Sequence, residues 1–133
     1  MKAEYDLAGK VIGLAMKIHS TLGAGFLESV YQAALAYEFK KAGVQFESQK
    51  SINVYYGGVL IGEFFADFLI ENELIVELKA IQTLATVHEV QTVNYLVATG
   101  KDVGLLLNFG SERLEFKKKF RQPKSKRLEE ISF

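Results

Sequence analysis

Two apolar runs on either side of the polar triplet Glu71-Asn72-Glu73 constrain the fold more than any other feature of this 133-residue chain. Both runs are rich in Phe, Ile, Leu and Val, and a short polar break between such runs is typical of a β-hairpin loop. The pattern predicts an antiparallel hairpin over residues 59–80. With the triplet as its loop, the register places Asp67 directly opposite Glu77, and cross-strand neighbours have Cβ atoms about 4.5–5.5 Å apart.

Strand alternation places Lys79 on the same face of this hairpin as Glu77, because it lies two residues further along. The opposite face is predicted to be core, since it is apolar throughout. It comprises Phe64, Ala66, Phe68, Ile70, Leu74, Val76, Leu78 and Ala80. Two carboxylates and an ammonium group are thus predicted to meet on one side of a strand pair whose other side is buried.

The predicted closeness of Asp67 and Glu77 has a chemical consequence. Two carboxylates at that distance repel each other, so one keeps its proton unless a cation lies between them. A divalent ion such as Mg²⁺ resolves the conflict, because it takes oxygen ligands from carboxylates, water and phosphate. Such an ion can polarise a phosphodiester and lower the pKa of an attacking water, with Lys79 adding positive charge. The alternative is that Lys79 forms a cross-strand ion pair with Glu77 or Asp67 and has no chemical role.

The rest of the sequence predicts further strands and three helices. The expected elements are a first helix over residues 4–20, a second helix from Phe26 to Ala42, strands at Val44–Glu47 and Ile52–Tyr56, a tight turn at Gly57-Gly58, a third helix over 84–99, a short strand at Val103–Asn108 and an edge strand at Leu114–Phe120. This order fits an α+β or three-layer α/β domain with one mixed sheet flanked by helices. The third helix is expected to link two parallel strands by a right-handed crossover.

Three motifs resemble those of known nucleases. Asp67 with Glu77-Leu78-Lys79 resembles the PD-(D/E)XK nuclease signature, although Ala66 stands where that signature has proline. The segment Gly25-Phe-Leu-Glu-Ser-Val-Tyr31 resembles the signature of the small GxxExxY family within the same superfamily. Gln91 and Tyr95 resemble the Gln-x-x-x-Tyr motif of RecB-like nucleases. The resemblance covers roughly residues 5 to 120.

The resemblance implies a restriction-endonuclease-like αβββαβ core and a Mg²⁺- or Mn²⁺-dependent phosphodiesterase, for which DNA is the first expected substrate and RNA the second. It implies that Asp67 and Glu77 bind the metal, with the Leu78 carbonyl as a further ligand. Lys79 is expected to stabilise the pentavalent phosphate or to position water. Glu28 is expected to complete the metal site through a water.

Four residues from these motifs have structural alternatives. If Gly25 caps the second helix, Glu28 occupies the third helical position, where a glutamate favours the helix dipole without any catalysis. Tyr31 lies one turn after Glu28 and either orients that carboxylate and contacts substrate, or simply packs. Gln91 and Tyr95 share a helix face. They either line the nucleic-acid groove or form the polar stripe of an amphipathic helix.

Composition is that of an ordinary globular domain, with 49% hydrophobic and 24% charged residues, so residues 1–133 are expected to form one domain. Cysteine is absent, which excludes disulfides and thiolate metal sites and fits a cytoplasmic protein. No apolar run approaches membrane-spanning length. Net charge is zero, but seven basic and no acidic residues lie between Lys117 and Arg127, so a basic tail at 121–133 is expected either to grip phosphates or to be solvated. A homodimer is compatible with a small domain that cuts one strand at a time.

Two other function classes remain open, and several more are excluded because their motifs are absent. A catalytically inactive nuclease-like module that binds nucleic acid or assembles with protein is one alternative. A metal-dependent hydrolase of a small phosphorylated metabolite is another. A P-loop, a Gly-x-Ser-x-Gly elbow and zinc-type His/Cys spacing are all absent from the sequence.

Overall fold

The computed structural model describes residues 2–121, with side chains from Leu7 onward. The predicted basic tail at 121–133 lies outside the described residues, apart from Arg121. The described elements are α1 (Lys2–Leu22), α2 (Glu28–Ala42), β1 (Phe46–Tyr56), β2 (Val59–Ile70), β3 (Leu74–Lys79), α3 (Thr86–Thr99), β4 (Val103–Asn108) and β5 (Glu115–Phe120).

The strands form one mixed sheet, in the order β1-β2-β3-β4-β5 over the described range. β3 and β4 run parallel, while the other neighbouring pairs are antiparallel. α3 connects the two parallel strands, as the sequence predicts. β5 is an edge strand whose three lysines are predominantly exposed, which also agrees with the prediction.

Turn chemistry sets the register of both hairpins. Gly57 and Gly58 have φ values of 59° and 80°, a conformation that glycine adopts without steric cost. In the second hairpin, Glu71 and Asn72 have positive φ. Ile70 pairs with Leu74 across this turn, so the predicted loop and its register are confirmed.

Helices cover both faces of the sheet and give the three layers predicted. One core cluster joins α1 and α2 to the sheet and contains Phe39, Phe68 and Leu107. A second, smaller cluster lies under α3 and contains Ala66, Ile75 and Leu96. The α+β, restriction-endonuclease-like expectation is therefore confirmed.

The predicted single apolar face of β2 is wrong in two respects. Phe64, expected in the core, is 42% exposed. Ala66 packs under α3, whereas Phe68 packs on the α1 and α2 side, although strict alternation would place both together. The change of side falls at Asp67. The ladder with β1 is interrupted opposite that residue, at Gln49, whose φ of 53° lies outside the extended region.

Two element boundaries also differ from prediction. β1 is continuous rather than two strands, because the intervening Lys50 and Ser51 pair with β2. α2 begins at Glu28 rather than Phe26, because Leu27 is in an extended conformation. Within residues 2–121, none of the helices has the length and apolar character needed to cross a bilayer.

Candidate active site

Asp67 and Glu77 meet where β2 and β3 separate. The backbone ladder between the two strands ends at the pair Phe68–Val76. At the next position the side chains replace the ladder: the N–H of Leu78 donates to Asp67 Oδ2 at 2.7 Å, and the N–H of Asp67 donates to Glu77 Oε2 at 3.3 Å. The two acidic side chains that the sequence places opposite each other are thus together in the structure.

Burial and repulsion keep the Glu77 carboxyl protonated. Only 8% of this residue is exposed. Its pKa is raised to about 9, first by burial and then by the negative charge of Asp67, while the N–H of Asp67 and the ammonium of Lys79 act weakly in the opposite direction. A protonated carboxyl beside a carboxylate is the state that a divalent cation would displace, so the donor set fits a hard metal ion.

The Leu78 carbonyl faces the same gap. Neighbouring residues of a strand direct their backbone groups to opposite edges. The carbonyl of Lys79 accepts the N–H of Phe109 at 2.8 Å on the β4 side. The carbonyl of Leu78 therefore points with its N–H toward Asp67, the side on which the resemblance to nucleases implies a further oxygen ligand.

Lys79 is half-buried at the end of β3. Ion pairs within 4.0 Å among the described side chains involve other residues, so the expected alternative of a cross-strand pair with Asp67 or Glu77 is not formed. Its positive charge nevertheless acts to lower the pKa of Glu77 and of Glu28, although burial raises both overall. Lys79 is thus near the acidic groups but forms no ion pair within 4.0 Å with Asp67 or Glu77.

Glu28 approaches the site from the α2 side. It is the first residue of the helix, with Leu27 as the N-cap, so the predicted third-position capping role is wrong. Burial of its carboxyl raises its pKa, Lys79 lowers it and Asp67 raises it. Among the described residues, no group of three or more His, Cys, Asp or Glu side chains is placed to hold a metal. The expected role of Glu28, which is to complete the metal site through a water, stays a prediction.

Tyr31 lies in the core instead of the substrate groove. It is fully buried and stacks on Phe109 with ring centroids 4.6 Å apart. Its hydroxyl donates to the Gly23 carbonyl and accepts the N–H of Phe26. The predicted substrate contact is therefore replaced by a structural one, because the hydroxyl holds the loop that leads into Glu28.

Gln91 and Tyr95 lie together on α3. Gln91 Nε2 donates to the Tyr95 hydroxyl at 3.1 Å. Tyr95 is 8% exposed, and its pKa is raised by burial and then by the charges of Glu77 and Asp67. The polar stripe on this helix therefore reaches the acidic pair.

Two residues that support the site were missed from the sequence. Gln49 Nε2 lies 3.4 Å from Asp67 Oδ1, and nothing in its local sequence distinguishes it from a surface glutamine. Asn108 is fully buried. Its amide oxygen accepts the N–H groups of Ile81 and Gly110, and its Nδ2 donates to the Ile81 carbonyl and to Glu115. An amide at the end of an otherwise apolar strand was the available signal for Asn108.

Comparison with known protein families gives a match over most of the chain. The sequence matches the PD-(D/E)XK nuclease superfamily over residues 5–121. None of the curated proteins matches it significantly.

The solved structures that are similar to the chain include the following two. The crystal structure of SSO0001 has a TM-score of 0.58 and 16% identity over 77% of this chain and 54% of that one, a likeness that bears on the fold alone. An alkaline exonuclease (LHK-Exo) from Laribacter hongkongensis has a TM-score of 0.49 and 11% identity over 72% of this chain and 56% of that one. The chain thus spans about half the length of both. By the match over residues 5–121, the chain belongs to the PD-(D/E)XK nuclease superfamily.

Proposed function

We propose that this protein is a Mg²⁺- or Mn²⁺-dependent nuclease that hydrolyses phosphodiester bonds of DNA, with RNA as the second substrate class. We also place it in the GxxExxY branch of its superfamily, on the segment Gly25–Tyr31. The proposal rests on one observation above others. Two acidic side chains, one of them holding a proton at neutral pH, converge at the point where two strands of a nuclease-superfamily fold separate.

Asp67 and Glu77 would hold the ion, with the Leu78 carbonyl as a third oxygen. Members of this superfamily generally depend on a divalent metal. Such an ion, when bound, supplies charge that polarises the phosphodiester and favours ionisation of the attacking water. The two carboxylates and the carbonyl would supply its oxygen ligands.

Lys79 would stabilise the negative charge that builds on the phosphate during attack. Its ammonium is not tied up in an ion pair within 4.0 Å among the described side chains, which leaves it available for this role. Glu28, the first residue of α2, would orient a water through its carboxyl. Gln91 and Tyr95 would line the path of the nucleic acid.

The decisive experiment compares cleavage of labelled single- and double-stranded DNA and RNA with and without Mn²⁺. Asp67→Asn, Glu77→Gln and Lys79→Met preserve side-chain size and are each expected to lower the rate about 10²- to 10³-fold, as loss of a charge-stabilising group does in other enzymes. Lys10→Met and Glu63→Gln, both at exposed positions, are the matched controls and should cleave like the wild type.

Cleavage that survives all three active-site substitutions would contradict the proposal. Calorimetric titration with Mn²⁺ separates the alternatives. A protein that takes up no metal and cleaves nothing, yet still binds DNA, would be the inactive nuclease-like module instead. We further propose that residues 1–133 act as one domain and that this domain can form a homodimer. Light scattering of the pure protein tests for the dimer.

A further inference from the structure

A groove lies between α3 and the outer part of the β1–β2 hairpin. β2 pairs with β1 along nearly its whole length but with β3 only over Phe68–Ile70. Residues 51–65, called here the hairpin arm, therefore extend past the rest of the sheet. The arm exposes aromatic rings: Tyr55 is 60% exposed, Phe64 42% and Phe65 54%. Tyr55 and Phe64 both line the groove. Exposed apolar surface with polar residues at its rim is typical of a binding site.

The lining of the groove combines flat rings with side-chain amides. Its volume is about 680 Å³. The rings come from Tyr55, Phe64 and Tyr95. The remaining lining residues are Asn53, Val54, Gln91, Asn94, Val97 and Ala98, so no Asp, Glu, Lys or Arg of the described chain lines it. Rings stack on nucleobases and amides pair with their edges, whereas a phosphate needs cationic or N–H-rich walls.

The groove lies beside the candidate active site, because Tyr95 lines the groove and its hydroxyl is within reach of the charges of Glu77 and Asp67. The ring of Phe64 lies 5.9 Å from that of Tyr95, centroid to centroid. Tyr95 packs in the same cluster as Ala66, the residue directly before Asp67. A nucleotide whose phosphate reaches Asp67 can therefore place a neighbouring base in the groove.

We infer that this groove receives one unpaired nucleobase of the substrate, held between the rings of Tyr55 and Phe64 beside the scissile phosphate. The inference rests on the proposed nuclease function and names its substrate class. Bases in a duplex are stacked on both faces, so only a single strand, a frayed end or a flipped nucleotide can enter. The protein should thus prefer unpaired DNA near the point of cleavage.

Binding measured without metal tests this inference independently of cleavage. The probe is fluorescein-labelled oligothymidylate, titrated with the full chain in EDTA and followed by fluorescence anisotropy. Tyr55→Ala and Phe64→Ala are expected to weaken binding about 5- to 100-fold, the range for loss of one stacked base. Tyr37→Ala, which removes a ring 62% exposed on α2, is the matched control and should bind like the wild type.

An abasic probe separates stacking from phosphate contact. Replacing successive thymines by abasic sites should weaken wild-type binding at one position but should add little to the loss already caused by Tyr55→Ala. Phe64→Leu keeps apolar packing while removing the ring, so it guards against a folding defect in Phe64→Ala. Circular dichroism confirms the fold of each variant.

Equal affinity of the wild type and the Tyr55 and Phe64 variants for the single strand would overturn the inference. So would a wild type that binds no single strand, or a Tyr55→Ala variant that changes only the oligomeric state in light scattering, since the arm would then be a subunit interface. A wild type that cleaves no nucleic acid, but whose binding of the single strand is weakened by Tyr55→Ala and Phe64→Ala as expected, would instead reject the nuclease proposal and support this binding site.

Discussion

Glu77 Oε2 accepts the backbone N–H of Asp67 at 3.3 Å, one position beyond the last backbone pair of β2 and β3. Asp67 Oδ2 in turn accepts the N–H of Leu78 at 2.7 Å. Each acidic side chain thus accepts a backbone N–H of the other strand, in place of the backbone carbonyl that would accept it in a continuous ladder. This exchange holds the two carboxyl groups together in spite of their repulsion, while the proton that Glu77 keeps is due first to burial and then to the charge of Asp67.

That proton predicts an unusual dependence of stability on pH. The folded-state pKa of Glu77 is about 9 against 4.5 as a reference, so between these values the native protein binds a proton that the unfolded chain has released. The free energy of unfolding should therefore fall as pH rises from about 5 to 9. Glu77→Gln stays neutral and should lose this fall. It should become more stable than the wild type at pH 9 by a few kcal/mol, since one bound proton changes the free energy by at most about 1.4 kcal/mol for each pH unit crossed.

Urea denaturation at pH 5, 7 and 9 measures this effect. Glu63→Gln, a change at an exposed position of β2, is the control and should follow the wild-type curve. A Glu77→Gln variant whose stability falls with pH as steeply as that of the wild type would contradict the assignment of the titrating group.

Metal binding should release the same proton. A divalent ion needs Glu77 ionised, so the apparent affinity for Mn²⁺ should rise about tenfold per pH unit between pH 6 and 9. Calorimetric titration in two buffers of different ionisation enthalpy counts the protons released, and close to one per ion is expected at pH 7. An affinity that is flat over this range would mean that the ion does not use Glu77.

Tyr31→Phe should weaken the fold rather than the contact with substrate. The change removes the hydroxyl that bonds the Gly23 carbonyl and the Phe26 N–H, at a cost of about 1–3 kcal/mol for buried groups left unpaired. Tyr37→Phe, at an exposed position of the same helix, should cost almost nothing. Urea denaturation gives the stabilities. Unchanged stability together with a raised KM for DNA would restore Tyr31 to the substrate groove.

One chemical change at two glycines should have opposite effects. A Cβ on Gly110 would collide with the backbone N and O of Ile81, which cannot turn aside, so Gly110→Ala should destabilise by about 1–3 kcal/mol and displace the segment after Lys79. Gly13 lies within α1 with open space around its Cα, so Gly13→Ala should stabilise by about 1 kcal/mol. Thermal unfolding distinguishes the two. A stabilising Gly110→Ala would mean that the segment after Lys79 can move freely.

Local chemistry by itself determined the strand pair that carries the site. The triplet Glu71-Asn72-Glu73 closes a tight turn, and such a turn fixes which residues face each other nearby, so the meeting of Asp67 and Glu77 was readable from the chain alone. The same holds for the glycine turn at Gly57-Gly58. Periodicity and turn propensity depend on neighbours in sequence, and these features need nothing else.

Tertiary packing decided the rest. Tyr31 lies in the core and not in the expected groove, because its ring packs against Phe109, a residue far along the chain. Ala66 and Phe68 pack in opposite layers. The change of side coincides with the interruption of the β1–β2 ladder at Gln49, opposite Asp67. The pKa of Glu77 likewise depends on burial under elements that its own strand does not contain. Alternation can say which side chains share a face, but only the assembled layers determine what covers that face and how much water remains there.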